Sequence, residues 1–540
     1  MDKDLQSIQE TRDLIAKAKA AAEVLAAMTQ EQLDAIAFAV ASACQKNAEA
    51  LAKAACEETG FGNAADKTLK NLLGSAITWD YIRTMRTRGI LAEDKARGII
   101  EIGVPMGIVA ALIPSTNPTS TVMYKALISL KAGNAIIFSP HPNAKKCIVE
   151  TVRIVTEAAT RAGAPEGAIG CIGLTTSEAT DTLLKSPDVG IILATGGEAM
   201  VRAAYSSGNP AIGVGPGNGP AYIERSADIA LAVKRIFDSK TFDNGTICAS
   251  EQSIVTEKCI EREVIAEAEK QGGYFLTPEQ SVKLSAFILR ENGTMNPKIV
   301  GKDAQTLASV AGIEVPAGAR VLISRQTTVS KTNPYSREKL CPILAFYVEE
   351  DWQSACERCI ALLHNEGVGH TMVIHSKDER IIREFALKKP VSRLLVNTPG
   401  ALGGVGVTTR LAPALTLGCG AVGGSATSDN ITPLNLINIR RVAYGYRELD
   451  DVRAEAGQNR KSAETAVFYR QAYGPAVAAS QPAKYVKPDL SRYGVKQDLS
   501  RYGVRAGQEN RTADAVSAEE IEAITKAVIA RLGYNSDAKR

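Results

Sequence analysis

Apolar positions recur every three or four residues from residue 4 to residue 58: Leu14, Ile15 and Ala18, then Leu33, Ile36, Ala37 and Val40. That spacing predicts amphipathic helix, ended by Gly60 and Gly62. From about Gly98 the texture changes to short apolar runs punctuated by Gly, Pro and Asn: RGIIEIGVPMGIVAALIP, NAIIFSPHP, VGIILATGG and AIGVGPGNGPAYI. Helical stretches lie between several of them, over Thr121 to Ala132 and Ala144 to Ala162. Apolar strands alternating with helices predict a mostly parallel sheet covered on both faces. The alternation resumes after Cys248, with SEQSIVTEK as a strand, CIEREVIAEAEKQGG as a helix, and FYVEE, HTMVIHS and SRLLVNT as strands. The pattern parses as two α/β units in tandem, with a seam near residues 240 to 250.

Beyond Tyr446 no long apolar run occurs. DLSRYGV stands at 489–495 and again at 498–504, two copies where a solenoid needs three or more. Residues 475 to 511 hold seven Lys/Arg against three Asp/Glu, with Pro, Gln and Ala, and read as a linker. The segment after it restores a helical period. Ser517 and Glu520 form a capping box, and Ile521, Ile524, Val528 and Leu532 make one apolar stripe before Gly533. A helix this short is marginal in water and wants a partner surface.

The chain has 540 residues, more than one domain normally holds. Hydrophobic residues make up 45% and charged residues 23%, the balance of a soluble globular protein. A net charge of +4 excludes a dedicated polyanion binder. Only Tyr493 and Tyr502 accompany the basic repeat, so nucleic-acid binding is not expected. No stretch of about 18 uncharged apolar residues predicts a membrane helix. The first thirty residues carry Asp and Glu among Ala-rich helix formers, which argues against a secretion signal. Ten cysteines at irregular spacing read as reduced thiols in a cytoplasmic compartment. The one CxxC pair, Cys356 and Cys359, lies in a helical pattern, with only four histidines in the chain, so no metal site is expected.

One cysteine stands apart. FDNGTICASEQ, residues 242 to 252, sets Cys248 behind a polar turn of Asn244, Gly245 and Thr246. A nucleophilic thiol needs such accessible, hydrogen-bonding backbone around it. For the other nine cysteines the ordinary reading, a small buried hydrophobe, holds.

ETGFG (58–62), IPSTNPTS (113–120), FSPHP (138–142), LATGG (193–197), GVGPGNGPAYI (213–223), DNGTICASEQ (243–252), EKLCPIL (338–344) and TLGCGAVGG (416–424) occur in that order. With them, residues 1 to 446 resemble the aldehyde dehydrogenase superfamily. The likeness is to its CoA-acylating branch, the acetaldehyde and propionaldehyde dehydrogenases, some of them packed in bacterial microcompartments. The resemblance implies an α/β aldehyde dehydrogenase fold of two Rossmann-like domains plus a β oligomerisation arm. It implies a dinucleotide-binding domain over 1–242, completed by 425–446, and a catalytic domain over 243–424. The arm would use strands near 97–104 and 435–443, in a homo-oligomer, dimer or tetramer. A linker over 447–516 and an amphipathic helix over 517–533 would follow. Such a tail resembles the elements that direct enzymes into microcompartments, and implies shell or cargo proteins as partners. The rival reading is a helix that docks on its own domain or tightens an oligomer.

The family chemistry would make Cys248 the nucleophile toward a short-chain aldehyde. The Asn117 amide and the Cys248 backbone N–H would hold the oxyanion. Ser139, Pro140 and His141 would meet the adenosine side of NAD, and Thr195, Gly196 and Gly197 would lie along the dinucleotide. Gly215 and Gly217 would pass the nicotinamide, and Glu338 would hold its ribose. FSPHP lacks the ribose-contacting lysine of hydrolytic relatives, which leaves NADP open. Hydrolytic relatives also carry a glutamate base where this chain has GVGPGNGP, and no carboxylate occurs between Ala199 and Ile223. Water is then poorly activated, and transfer to coenzyme A as co-substrate fits. Glu251 is the nearest alternative carboxylate, read as structural. His370, in GVGHTMVIHS, is a candidate base for the CoA thiol, against an ordinary role at a strand end. Gly418, Gly420 and Gly423 spell GxGxxG, but Pro433 and no amphipathic helix follow, so they read as a turn near the site. Two alternatives stay open: a hydrolytic aldehyde dehydrogenase, and a non-catalytic scaffold associated with a shell.

Overall fold

The computed structural model describes residues 2–459. The DLSRYGV repeat, the 475–511 segment and the 517–533 stripe lie outside the described residues.

Three helices open the chain, Lys3–Ala27, Gln30–Lys46 and Ala48–Thr59. Their inward faces carry Ile15, Ala18, Leu25, Leu33, Ile36 and Val40, all buried. Thr29 and Gln32 close a reciprocal cap on the second helix. Gly60 ends the third in the left-handed region at φ 68°, which a side chain would resist.

Five parallel strands form the first sheet, in the order Ile169–Cys171, Ala135–Pro140, Ile108–Ile113, Val189–Thr195, Ala211–Val214. Ile108–Ile113 and Ala135–Pro140 are buried along their whole length, as a sheet covered on both faces requires. All 14 residues of the helix Pro118–Lys131 are buried too. A helix with no wet face must satisfy its charges inside. Lys125 donates to the carbonyls of Leu112 and Leu193, 2.8 Å each, and so ties two neighbouring strand ends together.

The second sheet has seven parallel strands. Their order is Gly273–Phe275, Val321–Arg325, Ile343–Glu349, Ser253–Glu257, Pro220–Ile223, Gly369–His375, Val391–Val396. This moves the expected seam. The run AIGVGPGNGPAYI is not one β segment: Ala211–Val214 belongs to the first sheet and Pro220–Ile223 to the second. The chain crosses between sheets over Gly215 to Gly219, well before residues 240 to 250. Local pattern hides the crossing, because both flanking pieces are short, buried and apolar. The helix Ile229–Thr241 then packs Val233, Ile236 and Phe237 into the core of the second sheet.

A third, antiparallel sheet joins Gly89–Asp94, Ile99–Pro105 and Ile437–Ala443. The last two are the strands the sequence suggested for an arm, and Gly89–Asp94 extends them. Cys356 and Cys359 are both buried on the helix Trp352–Asn365. Among the described residues, no cluster of three or more His, Cys, Asp or Glu is placed to hold a metal, and no helix is long and apolar enough to cross a membrane. Residues 447–459 belong to a separate unit, in which Leu449–Asn459 is helical.

Candidate active site

Strand order in the first sheet reverses direction between Ile108–Ile113 and Val189–Thr195. In open α/β sheets the crevice beyond the strand ends at such a switch point is where ligands bind. The segments that leave those two strands, Pro114 to Asn117 and Thr195 to Gly197, line a cavity of about 530 Å³ that also contains Cys248. A second space of about 800 Å³ shares Gly196, Gly197, Pro216, Met295 and Glu338 with it.

Cys248 sits in the loop before the strand Ser253–Glu257, half-buried, beneath the inter-sheet crossing. A Cβ on Gly217 would lie 1.8 Å from the Cys248 carbonyl oxygen, so only glycine fits there. Two left-handed residues, Asp243 at φ 49° and Asn244 at φ 51°, turn the chain into the thiol loop. Such backbone costs free energy and persists only where surroundings enforce it.

His370 Nε2 lies 3.2 Å from the Cys248 sulfur, and Nδ1 lies 3.0 Å from Thr371 Oγ1. Arg393 Nε donates to the same hydroxyl oxygen (3.1 Å), and its Nη2 donates to the carbonyls of His370 (3.2 Å) and Gly418 (2.7 Å). With its proton on Nδ1, the imidazole turns an acceptor nitrogen to the thiol. Burial pushes the Cys248 thiol up to about 12, with the nearby Glu338 carboxylate adding to the effect. Burial, with the Arg393 charge second, pushes His370 down to about 3. At neutral pH the pair is therefore a neutral thiol against a neutral imidazole.

Asn117 precedes the helix Pro118–Lys131, with its amide beside the thiol loop. Its Nδ2 donates to the Thr246 carbonyl (3.0 Å), and its Oδ1 accepts from Lys70 (2.6 Å). Glu338 accepts the Gly217 N–H (2.8 Å), while its own N–H donates to Glu366 (2.6 Å). Burial, with the Glu366 charge second, raises the Glu338 carboxyl to about 8.

The cavity collects Asn117, His141, Thr195, Gly196, Gly197, Gly215, Cys248 and Glu338 from the residues singled out in the sequence. His370 is enclosed behind the thiol. Ser139 bonds Thr180 (3.0 Å) at the end of its strand, and Pro140 closes that strand. The glycines of 416–424 form a turn that brings Leu417 to the cavity wall. Glu251 is buried with one oxygen on the Gly400 N–H (2.7 Å) and the other without a partner, and burial raises it to about 7. Sequence reasoning missed Lys67, Lys70, Asp243 and Arg393. The signals were a lysine pair three apart in DKTLK, an acid inside the cysteine motif, and a lone arginine in an apolar strand.

The aldehyde dehydrogenase family model matches residues 5–343. The chain belongs to this family. Among solved aldehyde dehydrogenases, a probable aldehyde dehydrogenase from Listeria monocytogenes is 63% identical with a TM-score of 0.83, covering 84% of this chain and 100% of that one. An acetylating aldehyde dehydrogenase from Geobacillus thermoglucosidasius is 51% identical with a TM-score of 0.82, covering 83% and 99%. A propionaldehyde dehydrogenase from the fucose utilisation microcompartment of Clostridium phytofermentans is 29% identical with a TM-score of 0.73, covering 81% and 97%. The bifunctional aldehyde-alcohol dehydrogenase of Escherichia coli is 42% identical over 442 residues, 81% of this chain. The chain spans about half the length of the first curated relatives it matches, 50% in that case. A succinate-semialdehyde dehydrogenase (acetylating) from Clostridium kluyveri is 38% identical over 437 residues, 81% of this chain and 96% of that one.

The neutral pair has a measurable signature. Alkylation of Cys248 by iodoacetamide is expected to rise about tenfold per pH unit from pH 6 to 10, following the thiolate fraction. A raised thiol titrates late and a depressed histidine is already neutral, so no break should occur near pH 6.5. A plateau above pH 8 would contradict the assignment.

Proposed function

We propose that the chain oxidises a short-chain aldehyde with NAD and transfers the acyl group to coenzyme A through a thioester on Cys248. The observation that carries this reading is the 3.2 Å approach of His370 to Cys248 beneath a crossing segment that bears no carboxylate.

Cys248 attacks the aldehyde carbonyl as its proton passes to His370 Nε2. The developing oxyanion is met by the Asn117 Nδ2–H and the Cys248 backbone N–H, donors fixed before the reaction. A dinucleotide bound along Thr195, Gly196 and Gly197 supplies a hydride acceptor. The fit rests on open space at Gly197, where a Cβ would meet nothing within 4 Å, and on the lining that Gly196, Gly197 and Glu338 share between the two spaces. Collapse of the oxyanion expels hydride and leaves the acyl thioester on Cys248. His370 releases that first proton to solvent; the thiol of coenzyme A then attacks, with His370 taking its proton and passing it to the departing Cys248 sulfur. Aldehyde, NAD⁺ and CoA become acyl-CoA, NADH and a proton.

Hydrolysis would need a base aimed at water. Glu338 is engaged with the Gly217 N–H, and the crossing segment supplies no acid. We read the dinucleotide as NAD. The sheet of Ile99–Pro105 and Ile437–Ala443 leaves Ile439, Val442 and Tyr444 exposed, which suits an arm of a dimer or tetramer. The 517–532 stripe after a linker, together with the microcompartment origin of one structural relative, supports delivery to a shell lumen from the cytoplasm.

Formation of reduced dinucleotide from acetaldehyde, propionaldehyde and butyraldehyde is expected to require both CoA and Cys248, and to be faster with NAD than NADP. Steady CoA-independent turnover would favour the hydrolytic reading. Turnover retained in Cys248→Ala would reject the thioester. Gly215 lines the cavity, and a Cβ there meets nothing within 4 Å. Gly215→Glu should therefore bring in CoA-independent NADH formation; none in a folded variant would weaken the argument from the missing base. Removing residues 510–540 should leave activity intact and abolish co-purification with shells; unchanged co-purification would reject the targeting role.

A further inference from the structure

The helix Ala64–Leu72 sets Lys67 and Lys70 one turn apart on one face, each only 2% exposed. The chemistry above uses neither. Both converge on Asp243 Oδ2, Lys67 at 2.9 Å and Lys70 in a shorter contact. Asp243 is itself fully buried. Its Oδ1 accepts the Asn63 N–H (2.9 Å), and its own N–H donates to Asp66 (2.7 Å). A buried ammonium must place all of its protons on acceptors. Lys70 finds Asp243, Asn117 Oδ1 (2.6 Å), Thr246 Oγ1 (3.0 Å) and the Thr246 carbonyl (3.2 Å).

A primary amide is nearly symmetric in shape, so packing alone does not fix which end faces the thiol loop. The ammonium does. A flipped Asn117 would set its NH₂ against Lys70 and its oxygen against the Thr246 carbonyl, two repulsions in place of two hydrogen bonds. We infer that Lys70, anchored by Asp243, is a positioning residue of the oxyanion site. It locks Asn117 with its NH₂ toward the loop that carries Cys248, where Nδ2 donates to the Thr246 carbonyl, and it fixes a positive charge behind the donor where negative charge develops. A single ion cluster thus couples the N-terminal helices, the thiol loop and the oxyanion donor. The inference rests on the reading of Asn117 as that donor.

A double-mutant cycle on the full chain tests it, with wild type, Asn117→Ala, Lys70→Met and the double variant. Each is assayed for kcat and KM with aldehyde, NAD and CoA, and for the rate of Cys248 alkylation by iodoacetamide. That alkylation displaces iodide and forms no oxyanion, so it reports the thiol loop alone. Asn117→Ala is expected to lower kcat by about 10²- to 10³-fold, and Lys70→Met by at least about tenfold, with KM within about threefold. The double variant should be no slower than Asn117→Ala. Alkylation rates should stay within about threefold of wild type. Multiplied losses in the double variant, full kcat in Lys70→Met, or alkylation falling in step with kcat would overturn the inference. Full activity in Asn117→Ala would instead remove the oxyanion reading beneath it. Lys70→Gln, which keeps a donor without the charge, should fall between wild type and Lys70→Met, and it carries the same cycle if Lys70→Met does not fold.

Discussion

The polypeptide passes from its first sheet to its second against the backbone of its own thiol residue, and that close approach sets the rest of the site. Gly217 packs where a Cβ would meet the Cys248 carbonyl oxygen at 1.8 Å. Around it the crossing is pinned by hydrogen bonds. The Gly217 N–H donates to Glu338, and Asn218 donates to the carbonyls of Ser336 (2.9 Å) and Leu362 (3.0 Å). The thiol loop cannot shift without moving the crossing, and the crossing cannot shift without breaking into the second sheet. A rigid thiol is thereby held at the switch point of the first sheet, where a ligand crevice already exists. The crossing segment itself contributes no acid beside the thiol.

Burial then decides the charge states. The thiol, the imidazole and Glu338 are all driven toward their neutral forms, because each would otherwise carry an unpaired charge in a dry site. The charges that remain are paired or neutralised by design of the chain: Lys67 and Lys70 on Asp243, Arg337 on Glu366 (2.8 Å), and Arg393 on a ring of backbone carbonyls and hydroxyls. A neutral thiol that ionises only as its proton moves to His370 suits a nucleophile kept inert until a carbonyl arrives.

Much of this was legible before any coordinates. The helical character of residues 4 to 58 follows from their apolar period, though not their division into three helices, and the strands Ala135–Pro140, Val189–Thr195 and Gly369–His375 follow from apolar runs between turn residues. Cys248 stood out through its own neighbours in the chain, whereas Asn117 came only from the family resemblance. What stayed hidden has physical causes. The sheet crossing lies inside one apolar run, because two short buried strands look alike whichever sheet they join. Ile169–Cys171 and Gly273–Phe275 are three residues each, below the length at which alternation can be read. Lys67 and Lys70 look like a solvated helix face, since their partner Asp243 lies more than 170 residues away. Arg393 reads as a strand-end charge until its carbonyl partners from the 416–430 turn are seen.

A thioester on Cys248 that waits for a thiol can be looked at directly. The protein is mixed with acetaldehyde and NAD in the absence of CoA, quenched in acid, and the peptide containing Cys248 is weighed by mass spectrometry. The account predicts one acetyl group on Cys248, persisting in buffer and discharged on adding CoA with formation of acetyl-CoA. A peptide that stays unmodified while NADH accumulates, or an acetyl group that water removes as fast as CoA does, would contradict it.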